Sequence, residues 1–467
     1  MSVRPCRNFI SSEGCQIGNL EAMEREKEAI LNHIYNSHGW KALIVYYKLR
    51  EKIFPVNSRR RRAAKFVRNF TWKICGRWRQ IGTNAVDAIG SILEGPPLKG
   101  KNRMLVIDRF VPTYDKDSGS LRMYSFLKIL KELDYRITLL PDDLQKRKPY
   151  VDDLQKIGIE VLYGNLDVEK YLGRMGALFT FVILSRPEQV FKYISLIRAY
   201  AINSIVIYDT VDLHWLRFER AAAVSGDKEL LNKARYFKSM ELFNASCSDI
   251  VFTITKDEKE FLLKELPNLK IDVIPNIHDV IKEVKPFETR KDIMFIGGFL
   301  HHPNEDGVFF FVKEIFPRVK EKIPDIKFFI VGSDPSDAIS KLDSKNIKVT
   351  GYVRDVTPYF ENCRIFVSPL RFGAGMKGKI GQSMAYGLPV VTTTVGAEGI
   401  GLVDGENALI ADEPGQFSNS IIRLYTEKNL WDKISSKSIE HIRSNYSQEV
   451  IAPKIAELFN SINFQGR

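Results

Sequence analysis

The chain lacks most of the features that would set it apart from ordinary globular proteins. Its 467 residues hold five cysteines, at positions 6, 15, 75, 247 and 363. Their number is odd and none forms a CxxC pair, so neither a disulfide framework nor a zinc site is suggested, and a reducing cytoplasm is the expected setting. Long apolar runs are missing. LIVYY (43–47) and FVIL (181–184) are far short of the roughly 20 residues of a bilayer span. The opening MSVRPCRNFISSEG has no signal-peptide apolar region. No Walker GK[ST] occurs at the required spacing in the glycine-rich stretch, and no DxD stands at a strand end in the second half. His301 and His302 are adjacent and cannot share one face, so they do not read as a metal pair.

Acidic charge is also scarce in one place. Lys and Arg number 69 against 57 Asp and Glu, a net +12. The segment SRRRRAAKFVRNFTWKICGRWR (58–79) holds nine basic residues and no acid, about three quarters of the excess. The rest of the chain therefore offers no natural surface for nucleic acid. Within 58–79, Phe66, Val67, Phe70, Ile74 and Trp78 fall near helical spacing. A basic amphipathic helix of this kind suits an anionic membrane surface, although a solvated charged face packed on the protein reads equally well. LEAMEREKEAILNHIY (20–35) has the spacing of a short coiled coil, and a second helix over 40–52 ends before Pro55, so 20–52 is a candidate for oligomer or partner contacts. Residues 1–95 thus form a helical, basic extension, and GPPLKGKN (95–102) a linker.

With 44% hydrophobic and 27% charged residues, the remainder is long enough for two cores. From residue 103 short apolar runs alternate with helix-length segments. The first series is RMLVID, RITLL, IEVLY, FTFVIL, SIVIYD and DIVFTI, closed by IDVIPNIHD (271–279). The second is DIMFIG, a helix over 305–321, KFFIVG, IKVTG, RIFVSP, PVVTTT and ALIAD. Such alternation predicts an α/β protein with two Rossmann-like parallel-sheet lobes, 103–285 and 286–446, facing a cleft. A closing helical segment occupies 447–467.

The stretch RFGAGMKGKIGQSMAYGLPVV (371–391) carries the strongest chemical signal. Glycines at 373, 375 and 378 admit a ligand close to backbone N–H groups, and the following helix adds its positive N-terminal end. Arg371 and Lys377 add full charges, so the loop suits a diphosphate; the alternative is a tight turn whose basic residues face water.

GAGMKGKIGQSMAYGLPVVTTTVGAEG (373–399) resembles the donor-binding signature of bacterial family 4-type (group 1) retaining glycosyltransferases of the GT-B fold. The resemblance continues in FIGGFLHHPNEDGVFFFVKEIFP (295–317), IVGSDP (330–335), VTGYVRDVTPYFENCRIFVSPL (349–370), RFVPTYDKDSGSLRMYSFLKIL (109–130), IYDTVDLHWLRFER (207–220) and VIPNIHD (273–279). It covers about residues 103–462 and is of the polysaccharide, O-antigen or capsule biosynthesis type. It implies a nucleotide-sugar donor on the second lobe, a glycan acceptor expected to be lipid-linked, no cofactor and no metal. Localisation would be cytoplasmic, peripheral on the inner face of the cytoplasmic membrane. The last helix would cross back to the first lobe.

Residue by residue, the resemblance implies that Arg371 and Lys377, with the amides of Gly373, Ala374, Gly375 and Met376, neutralise the departing diphosphate. Asn304 would contact a donor phosphate, and Glu398 the donor sugar or ribose. Members usually carry two glutamates eight positions apart here; this chain has Ala374 and Gln382, so ribose contact falls to the Gln382 amide. Asp212 and His214 follow the strand SIVIYD and are candidates to orient or deprotonate an acceptor hydroxyl, while Asp212 also reads as a helix N-cap. Gly119 and Ser120, in the loop DKDSGS, would admit acceptor or diphosphate. The expected activity is metal-independent, hexosyltransferase-like transfer. The missing glutamates and the coiled-coil-like start motivate an alternative, a non-catalytic nucleotide-sugar or glycan-binding assembly module. A GT-B sugar-nucleotide epimerase is a third reading with thin support.

Overall fold

The computed structural model describes residues 102–465. The extension expected over 1–95, with its segments 20–52 and 58–79, lies outside them.

Among the described residues the short apolar runs become two sheets, and every strand pair is parallel. The first sheet contains Arg103–Asp108 (β1), Arg136–Pro141 (β2), Glu160–Val161 (β3), Phe181–Ser185 (β4), Ile205–Asp209 (β5), Ile250–Thr253 (β6) and Ile271–Val273 (β7), in the order β3-β2-β1-β4-β5-β6-β7. Its central strands are buried from end to end, as for the FVILS of β4, because helices cover both faces. The second sheet contains Lys291–Ile296 (β8), Phe328–Val331 (β9), Ile347–Gly351 (β10), Cys363–Ser368 (β11), Val390–Thr392 (β12) and Leu409–Ile410 (β13), in the order β10-β9-β8-β11-β12-β13. Each sheet reverses its strand order once, at β1/β4 and at β8/β11. In open α/β sheets the crevice beyond the strand carboxyl ends at such a reversal is where ligands bind.

The helix expected over 305–321 is interrupted. His302–Phe310 and Phe316–Lys322 are α-helical, and Phe311–Ile315 between them is a π-turn. Pro317 supplies the reason. It has no N–H to donate and its ring crowds the carbonyl four residues earlier, so the chain widens by one residue per turn there.

Two aliphatic and aromatic cores hold the lobes. The final helix, Gln448–Gln465, adds Ile451, Ile455, Phe459 and Ile462 to the core of the first lobe, although it follows the second in sequence. The Phe459 ring sits 5.2 Å from that of Phe181 and 5.5 Å from that of Tyr135. Between the lobes the chain is pinned by fully buried Arg290, which donates to the carbonyls of Lys285, Phe360, Cys363 and Tyr386. Burial lowers its pKa to about 10, well above physiological pH, so the guanidinium keeps its charge.

Candidate active site

The loop after β11 is built to approach the other lobe. Gly375 has φ +66°, and a Cβ there would lie 2.8 Å from Ile254 and 3.3 Å from the Asp212 side chain. Only glycine fits both the dihedral and the space. Gly378 opens the next helix, Gly378–Ala385, where a Cβ would fall 2.5 Å from Ser118. Lys377 is the N-cap residue of that helix and makes no side-chain cap bond; the Ile380 N–H is taken by the Lys377 carbonyl at 2.8 Å, which leaves the positive end of the helix at Gly378 and Lys379 to face an anion.

Lys377 is 7% exposed. Its Nζ donates to the carbonyls of Gly375 (2.7 Å) and Ala374 (3.3 Å) and lies 3.9 Å from Glu398. Burial pushes its pKa down to about 8, against the attraction of Glu398 and with the help of Arg220. Lys379 is the second cation of the loop. Its ammonium bonds Asn304 Oδ1 and stands 4.4 Å from the Phe295 ring centroid; burial, with Lys377 nearby, brings its pKa to about 7. Asn304 is fixed in turn, since its Nδ2 donates to Gly298 O at 2.7 Å and its amide fills the space above Gly297.

A third cation arrives from the first lobe. Arg220, on the helix His214–Ser225, donates to Gly373 O at 2.8 Å and grips both carboxylate oxygens of Glu398. Three cations from two lobes therefore gather at residues 373–379, with Glu398 as the counter-charge of Lys377 and Arg220.

The first-lobe wall rises from the end of β5. Val211 adopts φ +64°, a costly conformation for a β-branched residue, and turns the chain so that Asp212 meets the Gly375 loop. Asp212 pairs with Arg217 at 2.7 Å and lies 3.4 Å from His214 Nδ1. Burial would raise its carboxyl pKa, but Arg217, His214, His301 and Arg186 outweigh that and hold it below the usual range. Asp212 is thus a carboxylate at neutral pH. His214 is buried and stacked on Phe237, 5.2 Å between centroids; burial lowers its pKa despite Asp212, so the imidazole is neutral.

Two buried glutamates hold this wall in place. Glu241 accepts from the N–H groups of His214 and Trp215, both at 3.0 Å, and caps the helix that the sequence assigned to Asp212. The N-cap reading of Asp212 is therefore corrected: its carboxylate is engaged by Arg217 instead. Glu258 accepts from Leu213 N (3.1 Å) and Ile254 N (3.2 Å) and underlies Gly375. Burial raises its pKa to about 7.

Several expected residues stand elsewhere. Arg371 does not converge with Lys377. Its guanidinium clasps Asp306 through Nε (2.9 Å) and Nη2 on a half-open surface, because the helix His302–Phe310 offers a carboxylate and the Phe310 ring next to it. Lys379 and Arg220 take the place foreseen for it. Ser120 is not open to a ligand either: it is buried, with N and Oγ both bonded to Asp117, the N-cap of the helix Ser118–Glu132. Gly119 serves close packing, since a Cβ would lie 3.0 Å from Val211. Gln382 is half-buried one turn into the Gly378 helix. His301 is exposed and stands at the N-cap of the helix His302–Phe310. The sequence reading passed over Arg217, Arg220, Lys379 and Glu258. Lys379 was visible as the second lysine of MKGKIG, and the two arginines as an i, i+3 pair on one helix face.

Comparison with known proteins agrees with this geometry. Residues 290–427 match the family described as Glycosyl transferases group 1. A Klebsiella pneumoniae protein, described as an uncharacterized 44.6 kDa protein in the cps region, is 24% identical over 398 residues, 76% of this chain and 98% of that one. Sucrose-phosphate synthase from Thermosynechococcus elongatus superposes with a TM-score of 0.60 at 14% identity, over 77% of this chain and 99% of the other. HepE from Anabaena, solved in complex with UDP and glucose, superposes with a TM-score of 0.58 at 13% identity, over 77% and 100%. Residues 290–427 are thus a group 1 glycosyl transferase domain, within a two-lobed chain of the GT-B fold.

Proposed function

We propose that the chain is a retaining glycosyltransferase that moves a sugar from a nucleotide-diphosphate sugar to a surface-polysaccharide acceptor, lipid-linked at the inner face of the cytoplasmic membrane. The observation that carries this reading is the buried Lys377 at an uncapped helix N-terminus, joined by Lys379 and by Arg220 from the opposite lobe. Charge develops on the leaving diphosphate as the bond from the anomeric carbon breaks. Preorganised cations and amides in a dry site stabilise that charge most where water is excluded. The acceptor oxygen forms the new bond on the face the diphosphate leaves, and its proton passes to the departing phosphate oxygen. Asp212, held ionised beside the Gly375 loop, orients that hydroxyl, a role supported by its charge and its position. Electrostatic neutralisation by these side chains and amides needs no resident metal, and the UDP and glucose bound by HepE support a nucleotide-sugar donor. The cps-region relative supports a capsule-type product, and the basic segment 58–79 supports membrane association.

Turnover of a panel of UDP-, GDP- and dTDP-sugars tests the reading, with Lys377→Ala as the diagnostic variant. Lys377→Ala should keep its circular-dichroism spectrum and lose transfer by ~10²-fold or more; undiminished turnover would remove Lys377 from the mechanism. Ala374 and Gln382, where glutamates are usual, favour one second reading: a module that binds nucleotide-sugar without transferring it. Donor binding by calorimetry with no transfer or hydrolysis across the panel would select that reading.

A further inference from the structure

The strand reversal in the second sheet carries the loop just described. The reversal in the first sheet, at β1/β4, carries a cluster that the reaction as drawn leaves unused. Phe110, two residues beyond β1, has three guanidinium groups around its ring: Arg147 at 5.4 Å, Arg186 at 5.7 Å and Arg109 at 5.9 Å from the centroid. They come from the ends of three neighbouring strands, since Arg109 follows β1, Arg147 stands in the loop after β2 and Arg186 follows β4.

Two of the three are paired. Arg186 Nε pairs with Asp108 (2.9 Å), and Arg147 Nε with Asp143 (3.2 Å). Of the other carboxylates close by, Asp142 binds Lys192 and Tyr193, and Asp117 accepts from Ser120 while lying within electrostatic reach of Arg186. The exposed Arg109 side chain has no hydrogen bond or ion pair among the described residues. Lys146 adds charge in the loop that carries Arg147, while Lys148 faces Asp152 at 3.8 Å. Three guanidinium groups gathered at one ring, one of them unpaired, leave N–H donors open to an anion. Guanidinium forks match phosphate and carboxylate oxygens in pairs. The cluster also adjoins the reacting centre, because Arg186 lies within electrostatic reach of Asp212.

We propose that Arg109, Arg147 and Arg186 around Phe110 form an anion subsite that holds a phosphate or carboxylate group of the acceptor. The subsite rests on the reading above, in which Asp212 of the first lobe orients the acceptor hydroxyl. It makes the acceptor an acidic molecule, positioned by its charge with a hydroxyl toward Asp212.

Calorimetric titration of the full chain with inorganic pyrophosphate tests it. Wild type should bind at two sites. Arg109→Glu/Arg147→Glu should lose one of them by about ten-fold or more in affinity. Arg109→Ala, which removes only an exposed and unpaired group, should weaken the same site and controls for misfolding. Lys377→Ala should lose the other site. Two undiminished sites in both arginine variants overturn the proposal. Two undiminished sites in Lys377→Ala instead overturn the donor-site reading and leave the arginine subsite standing. Displacement of pyrophosphate from the arginine site by trigalacturonate assigns the anion to a glycan carboxylate, and failure to displace it assigns a phosphate group.

Discussion

Lys377 shows how burial sets chemistry at the scale of one residue. Its ammonium is bonded to two loop carbonyls and faces Glu398, yet desolvation still brings its pKa to about 8. On the proposed function a diphosphate binds the protonated lysine and raises that pKa, so proton and ligand bind together. Donor affinity should therefore be flat below pH 7, weaken first as Lys379 deprotonates near 7, and fall further as pH passes 8. Calorimetry with the donor between pH 6.5 and 9 would show this, and Lys377→Arg, which stays charged, should move the upper break above the range. The stability consequence runs in the opposite direction. An unfolded lysine titrates near 10.5, so between about 8 and 10.5 the unfolded chain holds more protons than the folded one. This group's contribution to stability therefore rises with pH across that window and disappears as pH falls below 8.

At the scale of elements, the final helix decides whether the first lobe has a complete core. Phe459 touches four aromatic rings from that lobe, Phe126, Tyr135, Phe181 and Phe252. Phe459→Ala should destabilise the first lobe by about 3–5 kcal/mol, the range for emptying a buried aromatic site. A shifted midpoint in urea, followed by circular dichroism, would show it, and an unchanged midpoint would mean the helix contributes no core. The elements differ in how far the sequence reveals them. Strands such as β1 and β4 were legible because a parallel strand covered on both faces is a bare apolar run between turn residues. The glycine-rich loop at 373–379 was legible as a loop because its three glycines and two lysines fit neither a helix nor a strand pattern. Arg220 and Glu258 were not, because each acts through a partner more than 40 positions away, and no local pattern carries such a distance. Arg371 misled for the converse reason. A basic residue beside a glycine loop looks like a ligand contact until Asp306, 65 positions earlier, is seen to hold it. The interruption at Phe311–Ile315 could have been inferred from Pro317.

At the scale of the molecule, the two lobes meet through charge on one side of the loop and through tight glycine contacts on the other. Gly378 and Gly381 leave room for Ser118 and His278, and a larger residue at either position would force the lobes apart. Arg220 and Glu398 form the ionic half of this contact, each about one quarter exposed. The same pair touches the site, since Arg220 also holds Gly373 O and Glu398 faces Lys377. A strap of this kind favours the closed arrangement before any ligand arrives, and a diphosphate bound by Lys377 and Arg220 would take over its role. Partly exposed, two-point pairs contribute about 1 kcal/mol, enough to change a closed-to-open ratio roughly five-fold. Arg220→Ala should therefore raise the radius of gyration of the ligand-free chain in small-angle scattering. Glu398→Ala should do the same, yet leave Arg220 free to receive the diphosphate, so saturating donor should restore compaction in Glu398→Ala more fully than in Arg220→Ala. Equal compaction of both variants with donor would confine Arg220 to the strap and take it out of the donor site.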